Sequence, residues 1–268
     1  MRLLALILTL LAGPLLAEEV DVELFLAVDV SRSMTPAELE IQRRGYAEAL
    51  RSDDVIQAIE GGLIGAVAIS YVEWAGQVSQ REIVPWTVVR TRSDAEALAD
   101  ALTNRFTSSL RRTSISGALV FAANSMANND ITGLRRVIDI SGDGPNNDGR
   151  PVTRARDAVL AQGITVNGLP LMTRDGLDDR WHLEDLDDYY RNCVIGGPGA
   201  FAIPVRTWDQ FALAVRRKLV LEISGRMPTG PQRADLIQAQ YRGGDVTPYD
   251  CLIGEKIWER NRRYWEGP

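Results

Sequence analysis

The chain has 268 residues, 45% of them hydrophobic, and a formal charge of −6 at pH 7. That length can enclose one large core, and the net acidity excludes nucleic acid as the main partner, because phosphate binding needs clustered positive charge. Charge alone selects no other ligand.

Residues 1–17 read as a cleaved secretory signal: Arg2, an apolar run from Leu3 to Leu16, then Ala17 before Glu18 and Glu19. The run is shorter than the roughly 18 apolar residues of a membrane span, and no later stretch is apolar for long enough. A soluble, exported protein, periplasmic or secreted, is therefore expected. Its two cysteines, Cys193 and Cys251, make an intramolecular disulfide an expectation in an oxidising compartment.

Leu24, Phe25, Leu26, Ala27 and Val28 form a continuous apolar run, the mark of a strand buried on both faces in a parallel sheet. It leads directly into Asp29, Ser31 and Ser33, which put one carboxylate and two hydroxyls within five residues. Hard oxygen donors of such low charge suit Mg²⁺ or Mn²⁺ with room for a further ligand. The two serines read equally as caps of the following helix.

That helix is predicted to start with Thr35 as N-cap, Pro36 in its first turn and Glu38 closing a capping box, with Leu39, Tyr46 and Leu50 on one face. Val55, Ile56 and Ile59 suggest a second short helix after a break near Ser52. Gly65 to Trp74 is predicted as the second strand and Arg81 to Val89 as its antiparallel partner, placed at a sheet edge by Pro85. Ser93 and Glu96 predict another capping box ahead of a helix striped by Leu98, Ala101, Leu102 and Phe106. After a polar loop a further helix is expected from Ile115, with Thr113 just before its N-terminus.

Arg135 to Ser141 is the next predicted strand, and Asp143 follows it between Gly142 and Gly144 in a turn-rich run ending at Gly149. A helix over Pro151 to Gln162, a fifth strand over Ile164 to Leu169 and a short sixth over Phe201 to Val205 follow. Thr207 and Gln210 are expected to cap the last domain helix, which carries Trp208, Phe211, Ala212, Val215 and Leu219 on one face. The alternation predicts an α/β fold: a doubly wound, mostly parallel six-stranded sheet with one antiparallel edge strand and helices on both faces. The domain is placed at residues 18–224, and 225–268 form a C-terminal tail in which Ile253, Ile257, Tyr264 and Trp265 trace an apolar helix stripe. Packing on the domain and docking to a membrane-associated partner are both open to that helix.

Three motifs now stand in order at strand ends: DVSRS at 29–33, TSISGAL at 113–119 and SGDG at 141–144. Together they resemble the von Willebrand factor A-type domain family, and in particular an exported bacterial branch of unknown function. The resemblance implies a metal-ion-dependent adhesion site formed by Asp29, Ser31, Ser33, Thr113 and Asp143, holding Mg²⁺ or Mn²⁺. It also implies a partner protein that supplies an Asp or Glu to the metal. Ser116 stands where that family often has glycine, and Gly142 precedes the Asp-Gly pair.

Two rivals come from other classes: a metal-dependent hydrolase using the same residues, and a metal-free structural scaffold. Against catalysis, there is no G-x-S-x-G nucleophile elbow, the sole histidine is His182, and no third carboxylate is expected beside Asp29 and Asp143. An aspartyl-phosphate enzyme would want a carboxylate where Ser31 stands. The acidic run from Asp178 to Asp188 lacks the ligand spacing of an EF-hand loop and reads as a solvated helix face.

Overall fold

The structure is a computed structural model that describes residues 17–103, 109–173, 183–227, 236–239 and 249–266. Residues 1–16 of the expected signal, Phe106, His182 and the first part of the acidic run lie outside the described residues.

Strand β1 (Glu18–Asp29) is the centre of the molecule, and every residue from Val20 to Asp29 is buried. Beyond it, in chain order, come α1 (Pro36–Arg51), α2 (Asp53–Glu60), β2 (Val67–Trp74), β3 (Gln80–Val89), α3 (Arg92–Thr103), α4 (Ile115–Ala127) and β4 (Ile131–Gly142). They are followed by α5 (Val152–Leu160), β5 (Thr165–Pro170), α6 (Leu186–Tyr189), β6 (Phe201–Ala202), α7 (Phe211–Ser224), β7 (Ile237–Gln238) and α8 (Ile253–Glu266). The strands make one sheet in the order β3-β2-β1-β4-β5-β6-β7. All neighbours are parallel except the two edge pairs, β2 with β3 and β6 with β7.

The expected doubly wound architecture is therefore present, with one correction. The sheet has seven strands rather than six and an antiparallel strand at each edge, because two residues of the tail, Ile237 and Gln238, pair with β6. So short a strand has no periodicity to announce it.

Side-chain alternation along β1 builds the two layers. Leu24, Leu26 and Val28 face a core with Tyr46 and Leu50 of α1, Leu98 of α3, and Phe211 and Leu219 of α7. Phe25 and Ala27 face the opposite core, with Leu119 and Ala122 of α4, Val152 of α5 and Tyr189 of α6. Helix α1 begins as predicted: Glu38 N–H donates to Thr35 Oγ1, and Thr35 N–H donates to the Glu38 carboxylate at 2.6 Å.

Two predicted caps are corrected. The box before α3 is formed by Thr91 and Asp94, whose side chains each accept the other's backbone N–H, and not by Ser93 and Glu96. Thr207 caps only through its carbonyl, which accepts from Gln210 N–H in a 3₁₀ turn at Trp208–Gln210 ahead of α7.

The first core also contains a charged cluster. Lys218 of α7 is fully buried, its ammonium 2.7 Å from Asp139 of β4 and paired with Glu222 one turn on. Asn167 of β5 donates to the same Glu222 oxygen at 2.9 Å and accepts Phe201 N–H through its own oxygen. Burial, then the neighbouring Asp139 charge, pushes the Glu222 carboxyl up to about 7, with Lys218 opposing.

Candidate metal centre

The chain crosses the carboxyl edge of the sheet between β1 and β4. There β1 continues to β2 on one side while β4 lies on the other, the position where open α/β sheets bind ligands. Three loops meet at that edge: 30–35 after β1, 109–114 before α4, and 143–149 after β4.

Asp29 is fully buried at the end of β1. Its Oδ1 accepts Ser31 N–H at 2.6 Å, an Asx turn that bends the chain out of the strand. From there a hydroxyl chain runs outward: Ser31 Oγ lies 2.9 Å from Ser33 Oγ, which donates to Asp143 Oδ1 at 2.8 Å. The first and third motifs are thus joined side chain to side chain. Ser33 and Asp143 are half-buried, and Ser31 is buried.

The middle loop is tied to both. Leu110 N–H donates to Val30 O at 2.8 Å, and Leu110 runs parallel beside Ser31. Thr113 is locked to Asn147 twice, its N–H donating to Asn147 Oδ1 and its carbonyl accepting Asn147 N–H at 2.8 Å. Ser114, the residue after it, caps α4 by accepting Gly117 N–H. Thr113 therefore sits one residue outside the cap, 6% exposed, and is not itself the capping group.

The second oxygen of Asp29, Oδ2, is buried without a hydrogen-bond partner among the described residues. A buried carboxylate oxygen left so is costly unless a cation or proton meets it. Burial, then the charge of Asp143, raises the Asp29 carboxyl well above its ordinary range, against the pull of the Ser31 bonds. Burial likewise lifts Asp143 to about 6, although Ser33 opposes it. Two repelling carboxylates, each bonded to the intervening serines, make an all-oxygen set that fits a hard divalent cation. Among the described residues no three His, Cys, Asp or Glu side chains gather as a metal group, so the hydroxyls are essential to any such set.

Sequence reasoning missed several neighbours. Gln42 of α1 donates to Asp29 O, which ties helix to strand end. Glu38 is a third carboxylate after all, close enough for its charge to raise Asp143. Both its oxygens are already occupied, by Thr35 N–H and by Trp208 Nε1. Gly142 packs so tightly that a Cβ there would stand 3.0 Å from Asp29 Oδ2 and 3.0 Å from the Tyr190 hydroxyl. Asn146 joins three parts of the chain: Oδ1 accepts Ser116 N–H, Nδ2 donates to Glu255 of α8, and its N–H donates to the Tyr189 hydroxyl. The paired asparagines after Pro145 were the one signal available, since asparagine side chains commonly bond backbone in turns.

Residues 19–227 match the family described as "Protein of unknown function (DUF1194)". The chain belongs to the DUF1194 family. Its fold is that of von Willebrand factor A-type domains, as comparison with solved structures shows. The pilus adhesin SpaC from Lactobacillus rhamnosus GG is 13% identical with a TM-score of 0.56, over 77% of this chain and 31% of its own. The proximal thread matrix protein 1 of the mussel byssus is 13% identical with a TM-score of 0.54, over 77% of this chain and 49% of its own. Another structure of that mussel protein has a zinc-occupied MIDAS motif, the metal-ion-dependent adhesion site. The von Willebrand factor type A protein from Catenulispora acidiphila is 15% identical with a TM-score of 0.52, over 76% of this chain and 43% of its own. The DUF1194 chain thus spans half or less of the length of each of these proteins. No curated protein matches it.

Proposed function

We propose that this DUF1194 chain is an exported, metal-dependent protein-binding module that captures an acidic side chain of a partner. The observation that carries the reading is the chain Asp29, Ser31, Ser33, Asp143, closed at its inner end by a buried carboxylate oxygen with no described partner. In this reading the hydroxyls of Ser31, Ser33 and Thr113 ligate Mg²⁺ or Mn²⁺, and Asp29 and Asp143 do so directly or through water. An ion held there mainly by neutral hydroxyls, with one or both carboxylates reached through water, would stay electrophilic enough to take a partner's carboxylate at its open position. The zinc-bearing motif of the mussel protein supports a divalent ion in this fold; the oxygen-only donor set favours the harder ions.

The protein's own part is positioning. The Asx turn at Asp29 aims Ser31 and Ser33 at Asp143, and Asn147 holds the Thr113 backbone against the same loop. The third carboxylate at the site, Glu38, has both oxygens engaged, by Thr35 N–H and by Trp208 Nε1, and so serves as a tether between α1 and the turn ahead of α7. The test is calorimetric titration of Mg²⁺ into the mature protein, followed by capture of partners from source-cell extract in Mg²⁺ and in EDTA. Saturable binding lost in the Ser31→Ala, Ser33→Ala double variant, with partners retained only in Mg²⁺, is the expected result. Equal capture in all lanes refutes it, and metal-dependent ester hydrolysis abolished by Asp29→Ala would replace it with the enzyme reading.

A further inference from the structure

The residue before Thr113 is Arg112, the one non-glycine with a positive φ (75°) among the described residues. An arginine in the left-handed region is uncommon, and where one persists the surrounding structure must hold it. The adjacent backbone is held within the domain, by the Thr113–Asn147 pair and by Ser114 N–H donating to Ala75 O, while the Arg112 side chain is met by the tail. The Arg112 guanidinium lies 3.5 Å from the ring centroid of Trp258, on α8. Helix α8 is itself fastened to the metal-centre loops. The disulfide Cys193–Cys251 anchors the residues just before it, Glu255 accepts from Asn146, and Gly254 lies so close to Asn146 O that a Cβ would stand 2.0 Å away.

Two more arginines share this edge. Arg32 sits between Ser31 and Ser33, and Arg111 follows Leu110, which runs parallel beside Ser31. All three are exposed, and no described carboxylate forms an ion pair with any of them. Asp148, in the loop after β4, accepts Gln77 N–H at 2.9 Å. The same edge carries the carboxylates Asp29, Asp143, Asp148 and Glu38, yet among the described residues none of them is ion-paired to Arg112, whose exposed guanidinium meets the Trp258 ring instead.

We infer that Arg112, presented by Trp258, is a second anion subsite beside the metal, and that the partner segment carries two neighbouring acidic residues, one for each. Arg112 is then a specificity-determining residue, and the tail helix is part of the binding face. A guanidinium fixed by stacking loses little freedom when it takes a carboxylate, which is the advantage of arginine over lysine here. The inference rests on the metal-binding reading above.

The test uses two peptides, acetyl-Gly-Asp-Gly-amide and acetyl-Gly-Asp-Asp-Gly-amide, titrated into the mature protein in Mg²⁺ and in EDTA with NMR detection. The second peptide is expected to bind about fivefold tighter beyond the statistical factor of about two, the upper range for an exposed ion pair. That gain should shrink with added salt and fall to the statistical factor in Arg112→Gly, a substitution that suits the positive φ. Trp258→Ala, which keeps the Arg112 charge and removes only the ring beneath it, should reduce the gain. Mg²⁺-dependent binding of both peptides with no gain for the second, or a gain that survives in both variants, overturns this inference alone. Failure of both peptides to bind in Mg²⁺ overturns the metal-binding reading with it.

Discussion

Replacing Glu222 with glutamine should change how stability depends on pH, and the size of the change follows from the buried cluster. In the native protein the Glu222 carboxyl is held at about 7, against an ordinary value of 4.5, chiefly by burial. Between those two values the native state keeps a proton that the unfolded chain has released. Raising the pH through that window therefore lowers stability, by about 1.4 kcal/mol per unit and about 3 kcal/mol in all. Glutamine keeps the shape and the oxygen that accepts from Asn167 and Lys218, but it has no proton to lose. Asp29 and Asp143, also raised, contribute in the same direction in both proteins and cancel, whereas Asp139, likewise raised by burial, shares Lys218 with Glu222, so the difference between the two proteins belongs to that carboxylate pair. Urea unfolding followed by circular dichroism from about pH 5 to about pH 8 reads the effect. The wild-type midpoint should fall by roughly 1 M more than that of Glu222→Gln. Parallel curves for the two proteins would refute the reasoning and mean that Lys218 keeps Glu222 ionised throughout.

Lys218→Met should cost about 3–5 kcal/mol in the same assay, because it leaves Asp139 and Glu222 buried without their cation. Gly45→Ala should cost about 1–3 kcal/mol, since the new Cβ would meet the Phe211 ring at 2.5 Å where α1 crosses α7; thermal melting checks it. Gly142→Ala should weaken Mg²⁺ binding in calorimetry while leaving the far-ultraviolet spectrum intact, because its Cβ presses on Asp29 Oδ2. Replacing Cys193 and Cys251 together with serine should lower stability by up to about 4 kcal/mol for a loop of 58 residues, with protease cleavage appearing first in the tail.

The loops of the candidate site were legible as loops at strand ends because their signals are local. A carboxylate directly after the apolar run of β1 marks a strand end at the sheet edge, and the Thr35–Glu38 box needs only four consecutive residues. At α3 the same kind of local signal was ambiguous: Thr91–Asp94 and Ser93–Glu96 overlap by two residues, and only packing of Ala95, Leu98 and Leu102 decides which one starts the helix. Long-range polar pairs left no trace in sequence. Lys218 and Glu222 lie on the buried face of α7, where residue type alone would place neither, because their partners Asp139 and Asn167 come from two different strands. The role of Asn146 was hidden for the same reason, since its contacts lie 30 and 109 residues away.

The direction of β1 has a practical consequence for handling the protein. Glu18 and Asp29 stand at opposite edges of the sheet, separated by most of a strand of twelve residues, roughly 35–40 Å at 3.3 Å per residue. Helix α8, by contrast, lies against the loops that bear Asn146 and Arg112. A bead or sensor surface coupled next to Glu18 leaves the edge that carries Asp29 and Asp143 turned toward the solution. The same coupling placed after α8 would set the support beside the loops that the experiment is meant to probe.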